Sequence, residues 1–169
     1  LRRFILGDTD SEVIFYMFLS ELSRYGPLTR RLATESVMDS LRDTMGKVRE
    51  ICDEPNAEKK CLLTAIATNG TTMVATRGGK ELFWSTYKNK CADRETCSYF
   101  SPECEAPSET GFINHMLVSS EPLSGENIWI EFEEGEVVGV DWRMDFIRRD
   151  KDGSKISSKP VPLENLISL

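Results

Sequence analysis

Apolar residues recur along this chain with two different periods, and the change of period divides it. After the polar segment Gly7-Asp8-Thr9-Asp10-Ser11-Glu12 come Val13, Ile14, Phe15, Met17, Phe18, Leu19 and Leu22, which predict a helix buried on more than one side. Thr9 and Glu12 have the spacing of a capping box, with Asp8 as a competing cap, and Gly26-Pro27 is the expected stop. From about residue 34 to 52, one stripe of Val37 or Met38, Leu41, Met45, Val48 and Ile51 predicts a surface helix, broken by Asp53-Glu54-Pro55-Asn56.

The period then shortens. Residues 61–68 and 71–77 read as strands around the hairpin signal Asn69-Gly70, whose two turn positions favour positive φ. Residues 82–87, 112–119, 128–132 and 137–142 are further strand candidates. Residues 89–111 are polar and aperiodic, hold three of the cysteines, and read as a loop or insertion. From residue 146 to 169 the pattern reads as a polar tail with an apolar patch at 163–169. The expected class is α+β: two helices, then about six mostly antiparallel strands. Several strands carry apolar residues on both sides of the pleat, so a single sheet with helices on one face would leave its other face bare, and something beyond this chain is expected to cover it.

Length and charge narrow the function. The 169 residues suggest one domain. Net charge is −7, from 21 Lys and Arg against 28 Asp and Glu, and the basic residues are scattered, which argues against nucleic acid as a partner. No apolar run reaches membrane-spanning length. Five cysteines in a chain of this size suggest a reducing, cytoplasmic setting rather than a disulfide framework.

Candidate chemistry begins at the first helix. Carboxylates in a first turn are stabilised by the free N–H groups and the helix dipole. Asp8, Asp10 and Glu12 therefore suit a ligand ammonium, and they equally suit simple capping. Cys61, Cys91, Cys97, Cys104 and His115 invite a zinc hypothesis, but their spacings are wider than those of structural zinc sites. The expectation is free thiols and no metal or organic cofactor. A lone histidine leaves no Ser/His/Asp triad. His115, Trp84, Trp129 and Trp142 read as packed core side chains.

Three stretches in series resemble the class II glutamine amidotransferases: GDTDSE at 7–12, ATNGTTMVATRGGKELFWSTY at 67–87 and HMLVSSEPLSGENIWIEFEEGEVVGVD at 115–141. The resemblance is closest to the stand-alone branch, which includes the fungal glutathione-degrading subunit and the ergothioneine-pathway amidase. It implies the αββα sandwich of N-terminal-nucleophile hydrolases, here incomplete, with residues 1–145 as the C-terminal part of the domain. It implies cleavage of a γ-glutamyl amide bond in glutamine, glutathione or a γ-glutamyl conjugate, by a cysteine at position one whose α-amine is the base. It further implies that Asp10 holds the substrate ammonium, that Thr9, Ser120 and Glu121 lie just behind the substrate, and that a metallopeptidase-like subunit is a candidate partner.

Leu1 is not a cysteine, and Asn69-Gly70 follows the Asp10 helix where the family's oxyanion-hole Asn-Gly precedes it. Nucleophile, oxyanion hole and substrate-carboxylate arginine are therefore expected upstream of Leu1. Ser120-Glu121 before Pro122 also reads as an ordinary strand end, and Arg77 as a structural ion pair. The rival reading is a non-catalytic α+β interaction module lacking the nucleophile half.

Overall fold

The computed structural model describes residues 2–53, 60–156 and 166–167. The predicted break at 54–56 and most of the apolar patch at 163–169 lie outside them. Two helices, α1 (Asp10–Leu22) and α2 (Thr34–Cys52), precede nine strands: β1 (Ala65–Thr68), β2 (Met73–Thr76), β3 (Phe83–Ser85), β4 (Leu117–Ser119), β5 (Trp129–Glu131), β6 (Val137–Val140), β7 (Phe146–Arg149), β8 (Lys155–Ile156) and β9 (Leu166–Ile167). They form two antiparallel sheets, β1-β2-β6-β7-β8 and β4-β3-β5-β9. Both helices pack on the first sheet, and the second sheet covers its other face. The arrangement is α+β in three layers.

Alternation along β2 and β6 explains the layering. Val74 and Val137 turn toward Phe18 of α1 and toward Met38 and Leu41 of α2. Ala75, Val138 and Val140 turn the other way, onto Trp84, Ile130 and Phe132 of the second sheet. A sheet buried on both faces has no solvent side to mark with polar residues, hence the near-continuous apolar runs. Gly139 lets α2 approach closely: a Cβ there would stand 2.8 Å from Met38 Sδ and from Thr34 Cγ2. The expectation of one sheet covered from outside the chain is therefore corrected: the chain's own second sheet covers that face.

Several expectations are corrected. Residues 146–156 are not a polar tail but contribute β7 and β8, with β7 pairing along the whole of β6. The two inward positions of β7 are Phe146 and Arg148; Arg148 is 4% exposed, its Nε donates to Glu136 Oε1 at 2.8 Å, and its guanidinium lies 5.0 Å from the centre of the Trp84 ring. A strand with a charged core position looks solvated in sequence. Helix α1 is not buried on several sides: Phe18 is its one fully buried residue, and Phe15 is 52% exposed. The helix lies on α2 and the rim of the first sheet, which leaves its outer side open. It also stops at Leu22, before Gly26, through turn hydrogen bonds from Arg24 and Tyr25 to Glu21 and Leu22. Trp142 is 56% exposed rather than core, because β6 ends at Val140 and the chain turns outward.

The buried pair makes a stability prediction. Burial pushes the Glu136 carboxyl above its ordinary range, against the pull of Arg148 and the Glu133 N–H. Removing one partner strands a buried charge, so Arg148→Met should cost about 3–5 kcal/mol. Replacing both residues with apolar ones of similar volume should restore much of that loss. Urea denaturation of the single and double variants checks the difference, and equal losses would contradict this account.

Candidate functional site

The start of α1 is built by local hydrogen bonds. Thr9 Oγ1 accepts from Glu12 N at 3.3 Å, the expected cap. Glu12 reaches back farther than a capping box requires, accepting from Leu6 N at 3.0 Å and Gly7 N at 2.7 Å. Asp10 Oδ1 accepts from Ser11 N at 2.7 Å, and the carboxylate makes no ion pair among the described residues. Asp10 is exposed and lies at one end of a groove of about 350 Å3 between α1 and the rim strand β1. The groove is mostly apolar, with Phe15 and Phe18 on one wall and Leu62 and Ile66 on the other. A single unpaired carboxylate beside such a groove can hold an ammonium whose apolar remainder lies along the wall.

Ser120 and Glu121 stand elsewhere. They follow β4, the rim strand of the second sheet, and both are exposed. Glu121 N donates to Ser119 Oγ at 3.4 Å. Among the described residues, no hydrogen bond or ion pair joins them to Thr9 or Asp10. Asn69-Gly70 forms the β1–β2 turn, but only Gly70 has positive φ, at 83°. Asn69 Oδ1 accepts from Thr71 N, Thr72 N and Thr71 Oγ1, which lengthens the connection to residues 69–72. Arg77 links the sheets: it pairs with Glu131 of β5 and donates to Phe132 O at 2.6 Å.

The cysteines are free thiols, and among the described residues no three His, Cys, Asp or Glu side chains converge as a metal site. Asp53, hydrogen-bonded to Cys61, pushes that thiol up to about 11, with burial and Cys52 adding to the effect. A thiol that remains protonated at neutral pH is a poor nucleophile. Cys104 Sγ accepts from Asn114 Nδ2 at 3.2 Å, and Cys91 is buried with its N–H on Glu105 at 2.7 Å. These contacts help order the loop at 89–111.

Sequence reasoning missed a second concavity at the other helix start. A cavity of about 430 Å3 opens beside the first turn of α2, lined by Arg31, Thr34, Thr72, Trp142, Arg143 and Lys155 among others. The Trp142 ring lies between Arg31, 4.7 Å from its centre, and Arg143 at 5.7 Å. The residues come from separate parts of the chain, so no local pattern marks them.

No family model matches the sequence, and no curated protein matches it. Among solved structures the fold is similar to a glutamine aminotransferase class-II domain protein from Silicibacter pomeroyi, with a TM-score of 0.52 and 20% identity. That match covers 90% of this chain and 56% of the other, so this chain spans about half the length of the structure it resembles. The likeness shows a fold of the class II glutamine amidotransferase-like kind. Among the described residues, no helix is long and apolar enough to cross a membrane.

Two predictions arise from these local contacts. Thr9→Ala removes a helix cap and should cost about 1 kcal/mol, read as a lower thermal midpoint; no change would show that Glu12 and Asp10 cap the helix unaided. His115 is the sole histidine of the sequence, and burial, with Lys88 nearby, lowers its pKa from 6.5. The folded state therefore favours the neutral ring. As pH falls through 6.5 the unfolded chain takes up the proton first, and stability drops. His115→Gln should flatten the decline between about pH 7 and 5, checked by chemical denaturation across that range.

Proposed function

We propose that this chain is the substrate-ammonium-holding part of a glutamine amidotransferase-like hydrolase that cleaves a γ-glutamyl amide bond. One observation carries the reading: Asp10, exposed and without an ion pair among the described residues, stands at the start of a capped helix beside an open groove, in a fold of this class. The carboxylate fixes the ammonium of glutamine, glutathione or a γ-glutamyl conjugate, and so sets the position of the γ-carbonyl. The nucleophile of this proposal is an N-terminal cysteine outside the chain, consistent with a Cys61 thiol held protonated by Asp53. Its α-amine takes the thiol proton, sulfur attacks the carbonyl, ammonia or an amine leaves, and water releases glutamate from the thioester. Thr9 supports Asp10 by capping its helix, whereas Ser120 and Glu121 would need to approach the substrate from the second sheet. A cytoplasmic setting, a role in glutathione breakdown and a metallopeptidase-like partner belong to the same proposal.

In the complete protein, Asp10→Asn should raise KM for the γ-glutamyl substrate by about 10- to 150-fold, the equivalent of losing about 1.5–3 kcal/mol of charge-assisted contact, with kcat little changed. An unchanged KM would remove Asp10 from substrate binding. A glutamine analogue with an electrophilic γ-carbonyl should label an N-terminal cysteine. Labelling of Cys52, Cys61, Cys91, Cys97 or Cys104 instead would overturn the assigned nucleophile.

The second reading, a non-catalytic interaction module, draws on the same groove. Phe15 and Ile66, 52% and 50% exposed, leave apolar surface between α1 and β1. A complete protein that binds a partner through this face and hydrolyses no γ-glutamyl amide would decide for it.

A further inference from the structure

The end of α2 brings two thiols together. Cys52 is the last residue of the helix and is exposed, whereas Cys61, beyond the turn that follows, is half-buried. Asp53, the residue that closes the helix, joins them. Its N–H donates to Arg49 O at 2.8 Å, and its Oδ1 accepts from Cys61 N at 2.7 Å. The Cys61 thiol is hydrogen-bonded both to Asp53 and to Cys52, so the two sulfur groups are in contact.

Each thiol sits on anchored backbone. Cys52 ends a helix that is seated on the first sheet through Met38 and Leu41. On the other side, residues 62–64 lie against the bare backbone of Gly78 and Gly79, where an added Cβ would stand 2.7 Å from Leu63 C and 2.8 Å from Leu62 Cδ2. Leu63 N donates to Gly78 O at 2.6 Å, and Thr64 Oγ1 donates to Lys80 O at 2.9 Å. The meeting of the two side chains is thus fixed from both ends. Thiols held in hydrogen-bonding contact need only side-chain rotation to reach bonding distance.

The other three cysteines are placed differently. Cys91 is buried, Cys104 Sγ accepts from Asn114 Nδ2 at 3.2 Å, and Cys97 is exposed on the loop at 89–111. Among the described residues no three metal-ligating side chains converge. The chemistry open to two touching thiols is therefore a bond between them. In a reducing compartment such a bond is transient and responds to the redox state, rather than serving as a permanent staple.

We propose that Cys52 and Cys61 form a reversible disulfide by exchange with a small-molecule disulfide, such as oxidised glutathione. Cys52, the exposed partner, attacks as thiolate on one sulfur of the oxidant; one glutathione leaves as the thiol and the other stays on Cys52. Cys61 then gives its proton to water and attacks the Cys52 sulfur, which expels the second glutathione. Two protein thiols are oxidised and one disulfide is reduced to two thiols, so the exchange balances. Asp53 slows the second step, because its carboxylate helps to push the Cys61 thiol up to about 11. The new bond ties the end of α2 to residues 62–64, which line the groove beside Asp10. It pins that wall whatever the groove binds, and the inference does not depend on the reaction proposed there.

The test treats the complete protein with oxidised glutathione under native conditions and reads intact mass and peptide maps. The expected product is lighter by two hydrogen atoms, carries no glutathione, and yields one peptide pair joined through Cys52 and Cys61. Its thermal midpoint should rise by about 3–8 °C and return on reduction. Cys61→Ser should stop with glutathione on Cys52, and Cys52→Ser should form no bridge, while both variants in reduced form melt close to the parent. Asp53→Asn, which keeps an acceptor for Cys61 N and removes the charge, should close the bond severalfold faster. Glutathione that remains on Cys52 of the parent, a bridge through Cys91, Cys97 or Cys104, or a Cys61→Ser variant that oxidises as the parent does would overturn the proposal.

Discussion

A carboxylate sealed inside the sandwich ties its layers together. Glu136 is 0% exposed, and its polar atoms are shared with four residues in three other parts of the chain. Its side chain accepts from Arg148 on β7 and from Glu133 N in the preceding turn, while its backbone oxygen accepts from Thr76 Oγ1 and Arg77 N at the end of β2. Arg148 in turn lies against Trp84 of the opposite sheet. A charge in that position is tolerable only when each partner is in place. The register of β2, β6 and β7, and the facing of the two sheets, are therefore specified together by one buried ion pair and its hydrogen-bond partners.

The helices inherit their positions from that sandwich. Valines on the outer face of the first sheet and the bare backbone of Gly139 give α2 a close seat across β2 and β6. Helix α1 rests chiefly on α2 and reaches the first sheet through Phe18, at the margin of the layer. Its marginal place produces both features on which the functional reading turns: an open groove between helix and strand, and a first turn whose carboxylate projects without an ion pair.

How much of this was legible follows from the range of the interactions. Helix α2 is readable because a single face is buried and the stripe from Met38 to Val48 is unbroken. The Thr9 cap is readable because it joins residues three apart. Strand β7 is not, because one of its two inward residues is an arginine whose partner lies twelve positions away, and only that pairing makes Arg148 a core residue. Trp142 misled for the opposite reason: an aromatic ring after an apolar strand looks like core, yet it stands exposed between two guanidinium groups. Asp10 was found through a motif, whereas the cavity at α2 draws Arg31, Thr72, Trp142 and Lys155 from four separate segments. No periodicity or spacing could announce it.

The two helix starts are chemically different, and the reason is local. At α1 the positive end of the dipole is already answered: Thr9 caps it, and Asp10 and Glu12 occupy its first turn. Adding carboxylates beyond what capping needs leaves negative character there, which favours an ammonium. At α2 the residue before the helix is an alanine, the first turn holds one carboxylate, and the cavity beside it is lined by Arg31, Arg143 and Lys155 against Glu35, Asp141 and Asp145. No side chain caps that helix end, and the balanced charges beside it favour neither sign of ligand. One helix layer thus presents an acidic, capped end and a charge-balanced end without a side-chain cap, a difference that begins with whether the residue before each helix carries a hydroxyl or a methyl group.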